Sequence, residues 1–222
     1  MLTIDVEKRL PHKTLQITCT IGNEIIAVIG PSGTGKTTFL NMIAGIVTPD
    51  NGYIKFRDQI FTQDGKSSIP TQQRKVGYVF QDYALFPHKT VWENIAYSMQ
   101  NENRTQEWIR ALHMEHLLDK YPREISGGEK QRTALLHAYA MEPQILLLDE
   151  PFDGLDPTQV KNLQELLIDY AHQGKIVLVS SHVLAYLTDL CNEIFYMQEG
   201  RITADLSYRE FPLLTDFFQL ND

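Results

Sequence analysis

The chain opens with alternating apolar and polar positions. Leu2, Ile4 and Val6 share one face, and Leu15, Ile17 and Cys19 repeat the pattern, which predicts two half-buried antiparallel strands. Ile25-Ile26-Ala27-Val28-Ile29 abandons the alternation. A strand this uniformly apolar must be covered on both faces, as in a parallel sheet between helices. It runs into a glycine-rich turn and then into Phe39, Leu40, Met42 and Ile43 at helical spacing, giving strand, loop and helix. Ile145 to Leu148 and Ile176 to Val179 predict two more buried strands, each with a helical stretch after it, and Lys75 to Phe80 a fourth. Glu193 to Met197 and Arg201 to Asp205 predict a late hairpin around Glu199-Gly200. Between Gln81 and Met141 the pattern is helical, with Trp108, Ala111, Leu112, Met114 and Leu117. The expected fold class is therefore α/β, a parallel-sheet core preceded by a small antiparallel sheet and interrupted by a helical insertion.

Composition narrows the setting. At 222 residues, 43% hydrophobic and 22% charged, the chain fits one domain with a modest insertion and can bury a core without disulfides or structural metal. A net charge of -8 opposes the broad attraction to phosphates that nucleic-acid binding rests on, so no nucleic-acid partner is expected. The N-terminus lacks the basic start and apolar stretch of a signal peptide, and no run approaches the ~20 apolar residues of a membrane helix. A cytoplasmic location is expected. Cys19 and Cys191 lie far apart in apolar surroundings and read as buried thiols.

The turn after the first buried strand carries the chemistry. Gly30-Pro31-Ser32-Gly33-Thr34-Gly35-Lys36-Thr37-Thr38 satisfies the P-loop pattern in its required context of strand before and helix after. Glycines let the backbone curl so that several N–H groups face one centre, where the helix dipole also favours negative charge. Lys36 would reach the β and γ phosphates of a nucleotide, and Thr37 would ligate Mg²⁺. Asp149 ends the apolar strand 145–148, where open α/β sheets bind ligands, and could hold Mg²⁺ through water. Glu150 beside it could take the proton of an attacking water.

With these motifs the sequence resembles the ABC ATPases along essentially its whole length. Ser126-Gly127-Gly128-Glu129-Lys130-Gln131-Arg132 is similar to that family's signature motif, and the serine with two glycines should open a helix running to about Met141. The resemblance implies a P-loop NTPase (RecA-like) fold in a single ABC ATPase domain, 1–222. Its core and β subdomain would occupy about 1–81 and 142–222, and its helical subdomain about 82–141. It further implies ATP and Mg²⁺ as ligands, with Ser126, Gly127, Gly128 and Glu129 closing over a nucleotide held by the P-loop of an opposite subunit. Gln81 matches the Q-loop glutamine that touches Mg²⁺ and the water, His182 the switch histidine at the γ phosphate, and Leu155-Asp156 the end of the D-loop. Ile125 and Glu129 stand where the signature most often has Leu and Gln, and Asp153-Gly154 replaces the usual Ser-Ala of the D-loop. The early turn offers Leu10, Pro11 and His12 in place of the usual aromatic residue, and His12 is assigned to stack on adenine.

Residues 74–88 resemble the ATPases of binding-protein-dependent importers, whereas 180–184 are reminiscent of short exporter-type ATPases. Import is favoured. The expected partners are a second cassette, identical or homologous, transmembrane permease subunits and an extracytoplasmic binding protein, with the chain held at the inner face of the membrane by the permease. Tyr83, Leu85 and Phe86 are expected to be exposed and to form the groove that receives a permease helix. Two rivals are a soluble ABC ATPase without transport and a P-loop kinase. The first would need a coiled coil or a second cassette, and the second leaves Ser126, Gln81 and His182 without roles.

Overall fold

The computed structural model describes residues 1–213; the last nine residues of the expected core, 214–222, lie outside the described residues. In chain order the elements are β1 (Leu2–Leu10), β2 (Lys13–Ile21), β3 (Ile25–Ile29), α1 (Lys36–Ala44), β4 (Asn51–Phe56), β5 (Gln59–Gln63), β6 (Lys66–Ser67) and β7 (Val76–Val79). They continue with α2 (Val91–Ala96), α3 (Glu102–Ala111), α4 (Gly127–Ala140), β8 (Ile145–Asp149), α5 (Pro157–His172), β9 (Ile176–Ser180), β10 (Glu193–Gln198) and β11 (Arg201–Ser207). All strands join one sheet in the order β6-β5-β4-β1-β2-β11-β10-β3-β9-β8-β7.

One end of that sheet is antiparallel and the other parallel, for reasons visible residue by residue. β1 and β2 pair from Leu2↔Ile21 to Leu10↔Lys13, burying Leu2, Ile4, Val6, Leu15 and Ile17 while Asp5, Thr14, Gln16 and Thr18 face solvent. β3, β9, β8 and β7 run parallel, and β10 joins them beside β3. The alternate residues of each apolar strand serve two different cores. Ile26, Val28, Ile145, Leu147, Ile176 and Leu178 pack on the face of α1, and Ile25, Ala27, Ile29, Leu146, Leu148, Val177 and Val179 on the face of α4 and α5. With both faces covered there is no polar side to encode, hence no alternation in the sequence. The two halves of the sheet meet at Gln16↔Arg201, reinforced by Gln16 N–H donating to Gly200 O at 2.8 Å.

The late hairpin turns through Glu199 (φ 48°) and Gly200 (φ 80°), the two left-handed positions that a tight two-residue turn requires. In the helical region the Trp108 ring stacks on Tyr139 at 3.6 Å and meets Tyr170 edge-on at 6.0 Å, tying α3, α4 and α5 together. The helix expected after the strand 176–179 is replaced by a single 3₁₀ turn, Leu184–Tyr186. Val183 N–H is taken by the Ser181 hydroxyl at 3.1 Å, and Leu187, Leu190 and Cys191 are drawn into the core before β10 begins. The span is too short to supply both a long helix and that return. Both cysteines are free thiols, Cys191 buried and Cys19 half-buried.

At the seam, burial and the neighbouring carboxylates Asp205 and Glu24 push the Glu193 carboxyl up to about 7. The same two acids, Glu193 and Asp205, face Cys19. Because the folded state holds this proton more tightly than the unfolded chain, its stabilising contribution is complete below about pH 4.5 and lost as pH rises through about 7. The expected result is that Glu193→Gln melts above the parent at pH 8 and flattens the fall of Tm between pH 5 and pH 8. Parallel Tm–pH curves for the two proteins in a calorimeter would contradict it.

Candidate nucleotide site

The turn 30–35 leaves β3 and enters α1 against the backbone of β10. Gly30 has φ 146°, and a Cβ there would lie 2.1 Å from the Met197 carbonyl oxygen, so no other residue fits. The Lys36 ammonium, at the first turn of α1, donates to Gly30 O at 2.7 Å and Pro31 O at 3.2 Å. Burial pushes it below the ordinary lysine value, against the opposing pull of Glu150 and Asp149. Thr34 instead turns inward, its hydroxyl donating to Pro31 O at 3.0 Å.

Two adjoining clefts meet at Lys36. The first, about 480 Å³, is lined by Ser32, Gly33, Gly35, Lys36, Thr37 and Thr38, by Gln81, Asp149 and Glu150, and by Leu10 and Lys13 from the first hairpin. The second, about 490 Å³, shares Ser32, Lys36, Gln81 and Glu150 and adds Gly30, Pro31, Asp153, Ser181, His182 and Tyr196. Parallel register puts the acids there. Asp149 ends β8 opposite Ser180 of β9, and its buried carboxylate accepts the Ser180 hydroxyl. Glu150 is left-handed at φ 51°, a conformation that a non-glycine residue holds only under constraint. Here the constraint is its N–H, shared between Ser180 O and Ser180 Oγ at 3.1 Å each.

The Glu150 carboxylate is held from the far side by His182, whose backbone N–H donates to Oε2 at 3.2 Å and whose Nδ1 lies 3.0 Å from the same oxygen. Asp153 completes this group, with ligand atoms of Glu150, Asp153 and His182 all within 4.8 Å of one another. An acid, an imidazole that orients it, and a lysine at the bottom of one cleft can polarise a water and neutralise a polyphosphate. Thr37, Gln81 and Asp149 offer a hydroxyl, an amide and a carboxylate to the same space, the oxygen donors that Mg²⁺ prefers.

Ser126 to Glu129 lie elsewhere and line neither cleft. Ser126 caps α4, its hydroxyl accepting from Glu129 N–H at 3.4 Å, while the Glu129 carboxylate accepts from Ser126 N–H at 2.7 Å. That backbone N–H, more than any other partner, holds the Glu129 carboxyl below the usual range. The cap packs on the loop after Glu150: a Cβ at Gly128 would come within 2.7 Å of Gly154 O, and Gly154 itself sits at φ 74°. His12 is also apart. It occupies the exposed tip of the first hairpin, because Leu10 and Lys13 form the closing pair and turn toward the cleft while Pro11 and His12 bulge into solvent. The adenine-stacking assignment to His12 therefore has no geometric support. Leu10, Lys13, Asp153, Ser181 and Tyr196 are the cleft residues that the sequence pattern did not single out as site residues; for Lys13 its place next to His12 was the available signal.

Tyr83, Leu85 and Phe86 are half-buried instead of exposed, with Tyr83 and Leu85 packed on the core. Asn94 pins this segment by accepting from Phe86 N–H at 2.8 Å and donating to Phe86 O at 3.2 Å. The exposed ring is Tyr97, 4.8 Å from Phe86 and stacked beside His137.

The profile of the family described as ABC transporter matches residues 14–153. The chain is 37% identical over 209 residues to the molybdenum import ATP-binding protein ModC of Haemophilus influenzae, covering 92% of this chain and 60% of that one. It is 38% identical over 216 residues to the molybdate/tungstate import ATP-binding protein WtpC of Archaeoglobus fulgidus, covering 94% and 88%. A bacterial ABC transporter cassette solved as a dimer has the same fold, with a TM-score of 0.81 at 24% identity over 94% of this chain and 99% of that one.

Proposed function

This chain belongs to the ABC transporter family, and from that membership we propose that it is the ATP-hydrolysing subunit of an importer, working as a dimer on a separate membrane permease. The observation that carries the reading is the convergence of Lys36, Thr37, Gln81, Asp149 and Glu150 on one cleft, with His182 bonded to Glu150. No helix among the described residues is long and apolar enough to cross a membrane. A permease is therefore the partner that would bring the chain to the inner face of the membrane from the cytoplasm. The half-buried strip of Tyr83, Leu85 and Phe86 with the exposed Tyr97 is the face proposed to receive it. A binding protein outside the membrane would deliver cargo.

On nucleotide binding the Lys36 ammonium exchanges the Gly30 and Pro31 carbonyls for phosphate oxygens, and the backbone N–H groups of the turn face the same anion. Mg²⁺ held by Thr37, Gln81 and Asp149 would neutralise phosphate charge. Glu150 accepts the proton of the attacking water, and His182 keeps its carboxylate aimed. Since Ser126 to Glu129 lie away from these groups, closing the site takes a second subunit, whose helix N-terminus would cover the γ phosphate. Glu129 already places a carboxylate at that helix N-terminus, so closure requires it to swing away from Ser126. Loss of the bridging phosphate then releases the dimer, and the permease moves only as far as its affinity differs between closed and open pairs.

We read the organisation as one domain with a core and β subdomain at about 1–81 and 142–222 and a helical subdomain at about 82–141. The direct test is phosphate release from ATP by the purified chain with Mg²⁺, followed across protein concentration. A dimeric site requires specific activity that rises with concentration before levelling. A concentration-independent rate, or transfer of phosphate to a small acceptor without water, would reject the proposal.

A further inference from the structure

We infer that the cleft at the N-terminal ends of β7 and β8 is a second ligand site, which takes a sugar phosphate, its phosphate held by Arg57 and Lys75. This cleft lies at the edge of the sheet away from the P-loop. β3, β9, β8 and β7 run parallel, and the nucleotide clefts open at their C-terminal ends.

The cleft, about 520 Å³, is lined by Arg57, Arg74 and Lys75 and by the side-chain amides of Gln59, Gln73 and Gln144. That volume is in the range of small-molecule sites. Asp58 is the one acid in the lining, so three cations face one carboxylate in a chain whose net charge is -8. Among the described residues no ion pair involves Arg57, Arg74 or Lys75. The same positive field is felt next door. Lys175 is held below the ordinary lysine value by burial and, against the pull of Glu142, by the charges of Arg104, Arg57 and Lys75.

The three cations have different parts. Arg74 is buried and its N–H groups are spent on carbonyls and hydroxyls, so it supplies charge from behind and no free donor. Arg57 is exposed and already placed. Its Nη2 donates to Gln144 Oε1 at 3.3 Å and its guanidinium carbon lies 5.0 Å over the Phe56 ring, which leaves its other N–H groups for a ligand. The Lys75 ammonium makes no hydrogen bond among the described residues. Arg57 and Lys75 are both left-handed, at φ 53° and 52°, a conformation that residues with side chains hold only under constraint. For Lys75 the constraint is its own carbonyl, which accepts Gln144 N–H at 2.9 Å.

A phosphate monoester matches this set. It carries nearly two negative charges at neutral pH and three acceptor oxygens, and an arginine fork beside a lysine point charge is suited to hold them. The glutamine amides both donate and accept, as the hydroxyls of a sugar do.

The test is calorimetric titration of the full chain with glucose-6-phosphate, for which one site per chain with a dissociation constant below about 1 mM is expected. Lys36→Ala should bind it equally well, which separates this cleft from phosphate uptake by the P-loop. Arg57→Asn and Lys75→Asn put in a residue that accepts the left-handed backbone, and each should weaken binding about tenfold or more. Ligand-free melting curves check that both variants fold. No binding by the parent overturns the inference. So does binding lost in Lys36→Ala and kept in Arg57→Asn, and so does inorganic phosphate or free glucose binding as tightly as the ester. Each of these results leaves the ATP-hydrolysis reading untouched.

Discussion

Replacing Glu150 by glutamine should lower the rate of ATP hydrolysis by about 10²–10⁴-fold, the range in which a positioned general base contributes, while ATP affinity changes less than about threefold. Glutamine keeps the size of the side chain and can still accept from His182 N–H, which donates to Glu150 Oε2 at 3.2 Å, but it cannot take a proton from water. The charge it removes is also a charge near the phosphates, so binding should improve if it changes at all. The stalled protein should accumulate as an ATP-dependent dimer in light scattering, and a second replacement of Ser126 by arginine should abolish that dimer. Serine caps α4 with its hydroxyl, and a bulky cation there blocks the approach of the opposite cleft. Kinetics, equilibrium titration and scattering together separate the possibilities. A fall in rate matched by an equal fall in ATP affinity would place Glu150 in binding, and an unchanged rate would place the base elsewhere.

Arg74→Ala should destabilise the protein by about 1–3 kcal/mol, which for a chain of this size lowers Tm by roughly 2–12 °C. Arg74 is only 2% exposed, and among the described residues no carboxylate lies within ion-pair distance. Its charge is balanced by dipoles. Nη1 donates to Met42 O at 3.2 Å and Ile43 O at 2.9 Å, in the last turn of α1. Nη2 donates to Phe61 O, Thr62 Oγ1 and Ser67 Oγ, and Nε to Ile69 O. Burial pushes the guanidinium down to about 10, still far above neutral pH, so it remains charged there and sits at the negative end of the α1 dipole. Truncation to alanine removes the donor shared by these groups: Met42 O, Phe61 O and Ile69 O keep bonds from Gly45 N–H, Ser68 N–H and the Ser67 hydroxyl, whereas Ile43 O and the buried Thr62 hydroxyl lose theirs. The other end of α1 is the P-loop, so a loosened C-terminus should also weaken ATP binding. Lysine, with one compact head, can satisfy only part of the fork and should recover only part of the loss. A shift in Tm of less than about 2 °C for Arg74→Ala would show that Ile43 O and the Thr62 hydroxyl find other partners.

The residues differ sharply in how readily they can be read from order alone. Lys36, Asp149 and Glu150 announce themselves because each stands at a fixed offset from a run of apolar residues, and a buried parallel strand delivers its C-terminal end to one edge of the sheet. Arg74 carries no such mark. Its importance comes from α1, β5 and β6 arriving around it from other parts of the chain. His12 and Lys13 are neighbours in sequence with opposite fates, decided by which residues close the hairpin and which form its tip. The stretch after Val179 has residues that could have continued as helix, yet the demand to return to β10 within a short span leaves one 3₁₀ turn. Tyr83, Leu85 and Phe86 read as exposed until Asn94 and the core claimed them.

The sequence by itself determined the strand–turn–helix that carries Lys36, the division of the chain into sheet and helical stretches, and the acids at the end of β8. These follow from periodicity and from the conformational freedom of glycine, which are local. Only the tertiary structure decided that Ser180 and His182 hold Asp149 and Glu150, and that Lys13 shares the cleft with Lys36. Those facts depend on the register of strands brought together from distant parts of the chain, where each contact is set by packing on both sides and no single segment contains the information.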